Sequence, residues 1–185
     1  SELENSNASK EKISEVVNES NLSIQKIKYV MLSKEDKFLL WNSKVQLLIE
    51  DSKLNNEQKS LLIDLKNHLN TTVFDDKKNN DEKEVFKTIY AKEFLKKANV
   101  LFSEEYIISN FYYITYKTDG GFEGGGGDGP SSCNCSSGSA VTCLSTMQNP
   151  LFCKKSQSNC KVTKSACGWL LRYDCDGMCL SVYDM

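Results

Sequence analysis

The stretch TDGGFEGGGGDGPSSCNC, residues 118–135, marks the point at which the chain changes chemical character. All ten glycines, both prolines and all eight cysteines lie at or beyond Gly120. Seven of the ten residues after Asp119 are glycine (Gly120, Gly121, Gly124, Gly125, Gly126, Gly127 and Gly129), and Pro130 follows. Glycine loses more conformational freedom on folding than any other residue, so this run is expected to resist ordering and act as a hinge. As a random coil the segment from Asp119 to Cys133 would span roughly 20 Å, enough to cross a small domain. Extended backbone with few side chains also admits proteases. Two readings follow, a spacer between permanently joined domains and a processing zone.

Upstream of the hinge, residues 1–119 carry 18 lysines against 20 acidic residues and no breaker of helices. Periodicity makes this part helical. In SKEDKFLLWNSKVQLLIEDSK, Ser33 and Asp36 have the spacing of a capping box, and Phe38, Trp41, Val45 and Leu48 recur as one apolar stripe. In NNEQKSLLIDLKNHLN, Asn55 or Asn56 would cap a helix with Leu61, Leu65 and Leu69 on one face. The third unit, NNDEKEVFKTIYAKEFLKKAN, opens with acids and closes with Lys96 and Lys97, the polarity that the helix dipole favours. Its expected buried face is Val85, Phe86, Ile89, Tyr90 and Phe94. Two weaker helices flank these: residues 9–32, broken near Asn21, and SEEYIISNFYYITYK, residues 103–117, capped by Ser103 and read as helix past Phe111 although Tyr112, Ile114 and Tyr116 also alternate as a strand would. The run FYYITY is expected to complete the core rather than form a docking surface. The polar start SELENSNASK reads as a frayed tether. The expectation is a mainly α bundle of about five helices over residues 1–119, a linker over 120–130, and a disulfide-rich module with a β-hairpin over 131–185.

The eight cysteines stand at Cys133, Cys135, Cys143, Cys153, Cys160, Cys167, Cys175 and Cys179. A segment this short cannot bury enough apolar area to offset its chain entropy, so cross-links must contribute. Four disulfides at ~2–4 kcal/mol each would meet that need. Structural zinc favours C-x(2–4)-C pairs, and of the intervals here only Cys175 to Cys179 comes near it. Pairing is open, except that Cys133 and Cys135, one residue apart, are expected to take different partners. Disulfides imply an oxidising compartment, hence secretion or the cell surface, with an export signal removed or outside this sequence. No membrane span is legible. Near the end, GWLLRYDCDGMCLSVYDM places Asp176-Gly177 between two runs rich in β-formers, the sign of a hairpin turn. Trp169, Leu171 and Tyr173 would share one strand face, with Leu170 and Arg172 on the other, and Trp169, Leu171, Arg172 and Tyr173 are the candidate target-binding side chains.

Catalytic signatures are missing. The sequence has no P-loop, dinucleotide fingerprint, nucleophile elbow or zinc-protease helix, and no basic stripe for nucleic acid. His68, the one histidine, reads as an ordinary surface or core residue, and the acid pairs Asp75-Asp76 and Glu104-Glu105 read as solvated. A non-enzymatic protein without cofactor or metal is expected.

At CNCSSGS and again at CGWLLRYDCDGMC, the module resembles secreted bacteriocins of the fulvocin C type, through Cys133, Cys135, Gly168, Trp169, Tyr173, Cys175, Gly177 and Cys179. The segment WNSKVQLLIEDSKLNNEQKSLLIDLKNHL is similar to the helical part of longer bacterial relatives of fulvocin C. The resemblance implies a secreted antibacterial protein or its precursor, in which the helical part is a pro-region and a protease frees the cysteine module near the linker to act on a competitor's envelope or membrane. The alternative is an unprocessed two-domain adhesion or binding protein at the surface.

Overall fold

A computed structural model describes residues 2–77, 80–115, 133, 135–139, 151–155 and 160–181. Cys143 and the linker with Gly120, Gly121, Gly124, Gly125, Gly126, Gly127, Gly129 and Pro130 lie outside the described residues, as does Tyr116. The chain divides into two compact units. One comprises residues 1–19 and 31–107; the other comprises residues 20–30 and 108–185. The second unit thus joins two segments from the helical part of the sequence to the cysteine-rich part.

The helical expectation holds, and the local signals that set each helix are in place. α1 (Glu2–Val17) and α2 (Leu22–Met31) break at Asn21, whose side chain accepts the backbone N–H groups of Ser23 and Ile24 at 3.0 and 3.1 Å. α3 (Lys34–Glu50) starts at Ser33, which accepts the Asp36 N–H at 3.0 Å. α4 (Asn56–His68) has a full capping box between Asn55 and Gln58. α5 (Asp81–Val85) is capped by Asn80 and runs through a π turn, Phe86–Tyr90, into α6 (Ala91–Leu101). α7 (Glu104–Phe111) takes Ser103 as cap, with the Tyr106 N–H donating to it at 3.2 Å. Counting 81–101 as one stretch gives six helical segments among the described residues.

Four local expectations are corrected. The start is helical from Glu2: with no Gly or Pro in it, extending a nucleated helix costs little. In the third unit Val85 and Ile89 are about half exposed, while Phe86, Ala91, Phe94 and Ala98 are buried. The π turn, in which the Ala91 N–H bonds the Phe86 carbonyl, inserts one residue per turn and swings the buried stripe off the 3.6-residue pattern. On α3 the buried face is Asp36, Lys37, Leu40, Trp41 and Val45, leaving Phe38 and Leu48 half-buried. The acids Asp75 and Asp76 are paired: Lys34 reaches Asp75 at 3.2 Å and Lys37, itself buried, reaches Asp76 at 2.6 Å, while the Lys83 ammonium donates to the Asp75 carbonyl at 3.1 Å. These lysines tie the 3-10 turn Thr72–Phe74 to α3 and α5.

The core of the first unit follows from the remaining apolar faces. α3 packs on α4, α4 on α6, and α1 on α3. Trp41, Val45, Leu62, Leu65, Phe74 and Phe94 are all buried there, and Leu61 and Leu69 complete the expected face of α4.

The cysteine-rich part has two antiparallel pairs. β1 (Leu151–Lys154) pairs with β4 (Met178–Ser181), with Cys153 opposite Cys179. β2 (Thr163–Cys167) and β3 (Tyr173–Cys175) form the hairpin, with Thr163 opposite Cys175 and Cys167 opposite Tyr173. A bulge lies between those two pairings, where Ser165 has φ 52°. The expected turn at Asp176-Gly177 is therefore corrected: the strands on either side of it take different partners. Both N–H groups of Asp176 and Gly177 bond the Cys135 carbonyl, at 2.9 and 3.2 Å. Trp169–Leu171 is likewise a 3-10 turn, with Leu170 and Leu171 at φ 50° and 54°, and not a strand. Two consecutive left-handed residues turn the chain inside the hairpin loop, where a strand would continue it outward.

Truncating Leu62, fully buried on α4, to alanine should cost ~2–5 kcal/mol in denaturant unfolding. Leu47→Ala, at an exposed site on α3, should stay within ~0.5 kcal/mol of the parent.

Candidate functional site

The site with the most unusual construction is the corner where β2, β3 and β4 meet three cystines. Cys133 pairs with Cys160, Cys135 with Cys153, and Cys167 with Cys175, at Cα–Cα distances of 4.9, 5.8 and 5.1 Å. The neighbours Cys133 and Cys135 take different partners, as the one-residue interval demands. Cys179 is disulfide-bonded as well. Cys133, Cys135, Cys167 and Cys175 are all buried. Cys133, Cys167 and Cys175 cluster with Ala166, and Val30 and Cys160 pack against that cluster. Sulfur occupies the place that aliphatic side chains hold in a larger domain.

Two of the glycines in the resemblance are fixed by contact. A Cβ on Gly168, whose φ is +70°, would sit 2.7 Å from the Tyr173 ring and 2.9 Å from the Ser139 Cβ. A Cβ on Gly177 would sit 2.7 Å from the Cys153 Sγ and 2.8 Å from the Lys154 carbonyl. Only hydrogen fits between β4 and the 135–153 cystine.

The candidate target-binding residues do not form an exposed face. Trp169, Leu171 and Arg172 are 0%, 3% and 1% exposed, and Leu170 is buried beside them; Tyr173 is half-buried. Positive φ at Leu170 and Leu171 points this corner inward, a backbone choice that β-propensity does not reveal. The exposed residues of the described part of the module are Ser137, Gly138, Lys155, Lys161, Val162, Lys164 and Asp174. Asp176 fixes the neighbouring loop: it accepts the Ser137 N–H and hydroxyl, both at 2.7 Å, and meets Lys155 at 3.1 Å. Burial opposes ionisation of Asp176, but the two Ser137 bonds and Lys155 outweigh it and hold the carboxyl below its ordinary range.

Sequence reasoning passed over the other half of this corner, which comes from α2. The Lys26 ammonium lies 3.4 Å from the Cys167 Sγ, and burial brings it down to about 8. The buried Gln25 side chain donates to the Thr115 hydroxyl at 3.4 Å. The only hint in the sequence is that Gln25, Tyr29 and Val30 share a helical face, and nothing there says what the face meets.

In the first unit, His68 joins a small polar cluster. Its Nδ1 lies 2.8 Å from the Asp64 carbonyl, its ring stacks on Tyr90 at 4.0 Å, and the Tyr90 hydroxyl donates to the Asp64 carboxylate at 2.8 Å. Burial, then the bond to Asp64 and its charge, push the Tyr90 hydroxyl far up, so it remains a donor at any physiological pH. The cluster links α4 to the π turn, which is a structural part for the histidine. Among the described residues no group of three or more His, Cys, Asp or Glu is placed to hold a metal, and no helix is long and apolar enough to cross a membrane.

No protein-family model, curated protein or solved structure gives a significant match to the chain.

Gly177→Ala should cost ~1–3 kcal/mol through overpacking against backbone and cystine, read as a lower unfolding midpoint of the oxidised protein. Because the Asp176 carboxyl is held low in the fold, its contribution is present above the unfolded-state value near ~3.9 and is lost as pH falls through the folded value. Stability measured down from neutral pH should therefore fall less in Asp176→Asn than in the parent over that acid window.

Proposed function

We propose that the chain is a bacteriocin-like secreted antibacterial protein or its precursor, whose active part is the disulfide-rich segment 131–185, freed by proteolysis near the glycine-rich linker. The observation that supports it best is the cystine core: Cys133–Cys160, Cys135–Cys153 and Cys167–Cys175 tie short strands together, and Cys133, Cys167 and Cys175 cluster in the interior with Ala166. Such a core belongs to an oxidising environment and survives where a small aliphatic core would unfold. The likeness of this segment to fulvocin C-type bacteriocins gives the antibacterial direction. The action is binding to the envelope or membrane of a competitor. Exposed Lys161 and Lys164, which flank exposed Val162 in the sequence, suit an anionic surface, where each cation contributes ~1 kcal/mol.

A second reading has its own observation. Residues 20–30 and 108–115 belong to the same compact unit as the cysteine-rich part, which suits a protein that works intact, as a secreted or cell-surface binding or adhesion protein.

The first reading is tested on protein cut within 120–130 and separated under denaturing conditions with its disulfides kept. The oxidised C-terminal fragment should inhibit growth of related bacteria at micromolar concentration and lose that effect after reduction and alkylation. No inhibition and no membrane leakage from the oxidised fragment would refute it.

A further inference from the structure

We infer that residues 20–30 clamp the cysteine-rich segment from outside, so that cutting the linker does not by itself release residues 131–185. The clamp stands on packing alone; only its consequence for killing rests on the antibacterial reading.

The argument begins with the order of the chain. Residues 20–30 and 108–115 precede the linker, yet they lie in one compact unit with the strands that follow it. A cut between 120 and 130 therefore leaves residues of one compact unit on both sides of it. On α2 one face is covered and the opposite one is not. Gln25 and Tyr29 are buried, with Lys26 and Val30 half-buried next to them, while Ile24 and Ile27 are 44% and 55% exposed. The covered face is the one that meets the module: Val30 packs on the cluster of Cys133, Ala166, Cys167 and Cys175, and Lys26 reaches the Cys167 sulfur at 3.4 Å. Ile108, Phe111, Tyr112 and Ile114 are buried in the same unit and also stay with the N-terminal fragment.

Departure of 131–185 would bare both sides of these contacts to water. The cystine cluster would lose the cover of Val30. Apolar area removed from water is the main favourable term in association, and covalent linkage is not needed to retain it. The chemistry recognised is specific: an amphipathic helix that offers a β-branched side chain and a lysine one turn apart to a surface made of cystine sulfur and alanine. Release then needs a second event that opens α2, such as a membrane or receptor competing for the same face.

The test uses the full oxidised chain with a site-specific protease sequence inserted between Gly125 and Gly126. After cutting without denaturant, size-exclusion chromatography and native mass spectrometry at micromolar concentration should show one species with the summed mass of both fragments. Val30→Asp should weaken retention at least tenfold, and the milder Val30→Ala should weaken it measurably if the aspartate variant fails to fold. Ile24→Asp, on the exposed face, should leave retention as in the parent. Separation of the parent fragments with disulfides intact, or a Val30→Ala chain retained as tightly as the parent, would overturn the clamp. Growth assays on the same samples separate the two ideas. Retention in the parent, with release but no inhibition in the Val30 variants, supports the clamp and counts against the antibacterial reading.

Discussion

Chain entropy is the constraint on which the second unit depends. Ordering a residue costs ~1–2 kcal/mol of backbone entropy, and the strands among the described residues are three to five residues long and form two short antiparallel pairs. Cystines change this balance by shortening the unfolded chain, and they also fill the interior, because Cys133, Cys135, Cys167 and Cys175 are themselves buried. The same sulfurs then dictate the backbone around them. Gly177 must lack a side chain because Cys153 lies against it, and the bridge between Cys135 and Gly177 anchors the point where β3 passes into β4.

The first unit solves a different problem by ordinary means. It has no cystine among its described residues, and its helices are set by side-chain caps at Ser33, Asn55, Asn80 and Ser103. Trp41, Leu62, Leu65 and Phe94 supply its apolar burial without help from sulfur. The division of labour explains the lopsided distribution of glycine and cysteine along the chain. What it does not follow is the order of the sequence, since α2 leaves the helical unit to cover sulfur and the chain then returns for α3.

Much of the bundle was legible because helix signals are local. Asn21, Ser33 and Asn55 act within three residues of themselves, and Leu61, Leu65 and Leu69 repeat at helical spacing on a helix without irregularity. The reading failed where geometry departed from that spacing. Val85 and Ile89 are exposed because one π turn shifts the stripe, and no residue type announces a π turn. In the candidate site, the involvement of the cysteines was legible and their partners were not. Trp169, Leu171 and Arg172 looked like an exposed strand because β-propensity is a preference for a half-buried pleat, whereas the left-handed residues Leu170 and Leu171 fold that stretch inward.

By itself the amino-acid order determined that this protein has a helical part free of glycine and cysteine and a short part that must be stapled, because composition fixes how much entropy each segment has to overcome. Tertiary structure alone decided which cysteines join, which glycines touch sulfur, and which helix shelters the cystine cluster. Each of those depends on residues far apart in the chain meeting at van der Waals distance: Lys26 with Cys167, Gly177 with Cys153, Val30 with the cluster. Local sequence encodes the faces that such contacts use, but which face meets which is settled only when the whole unit packs.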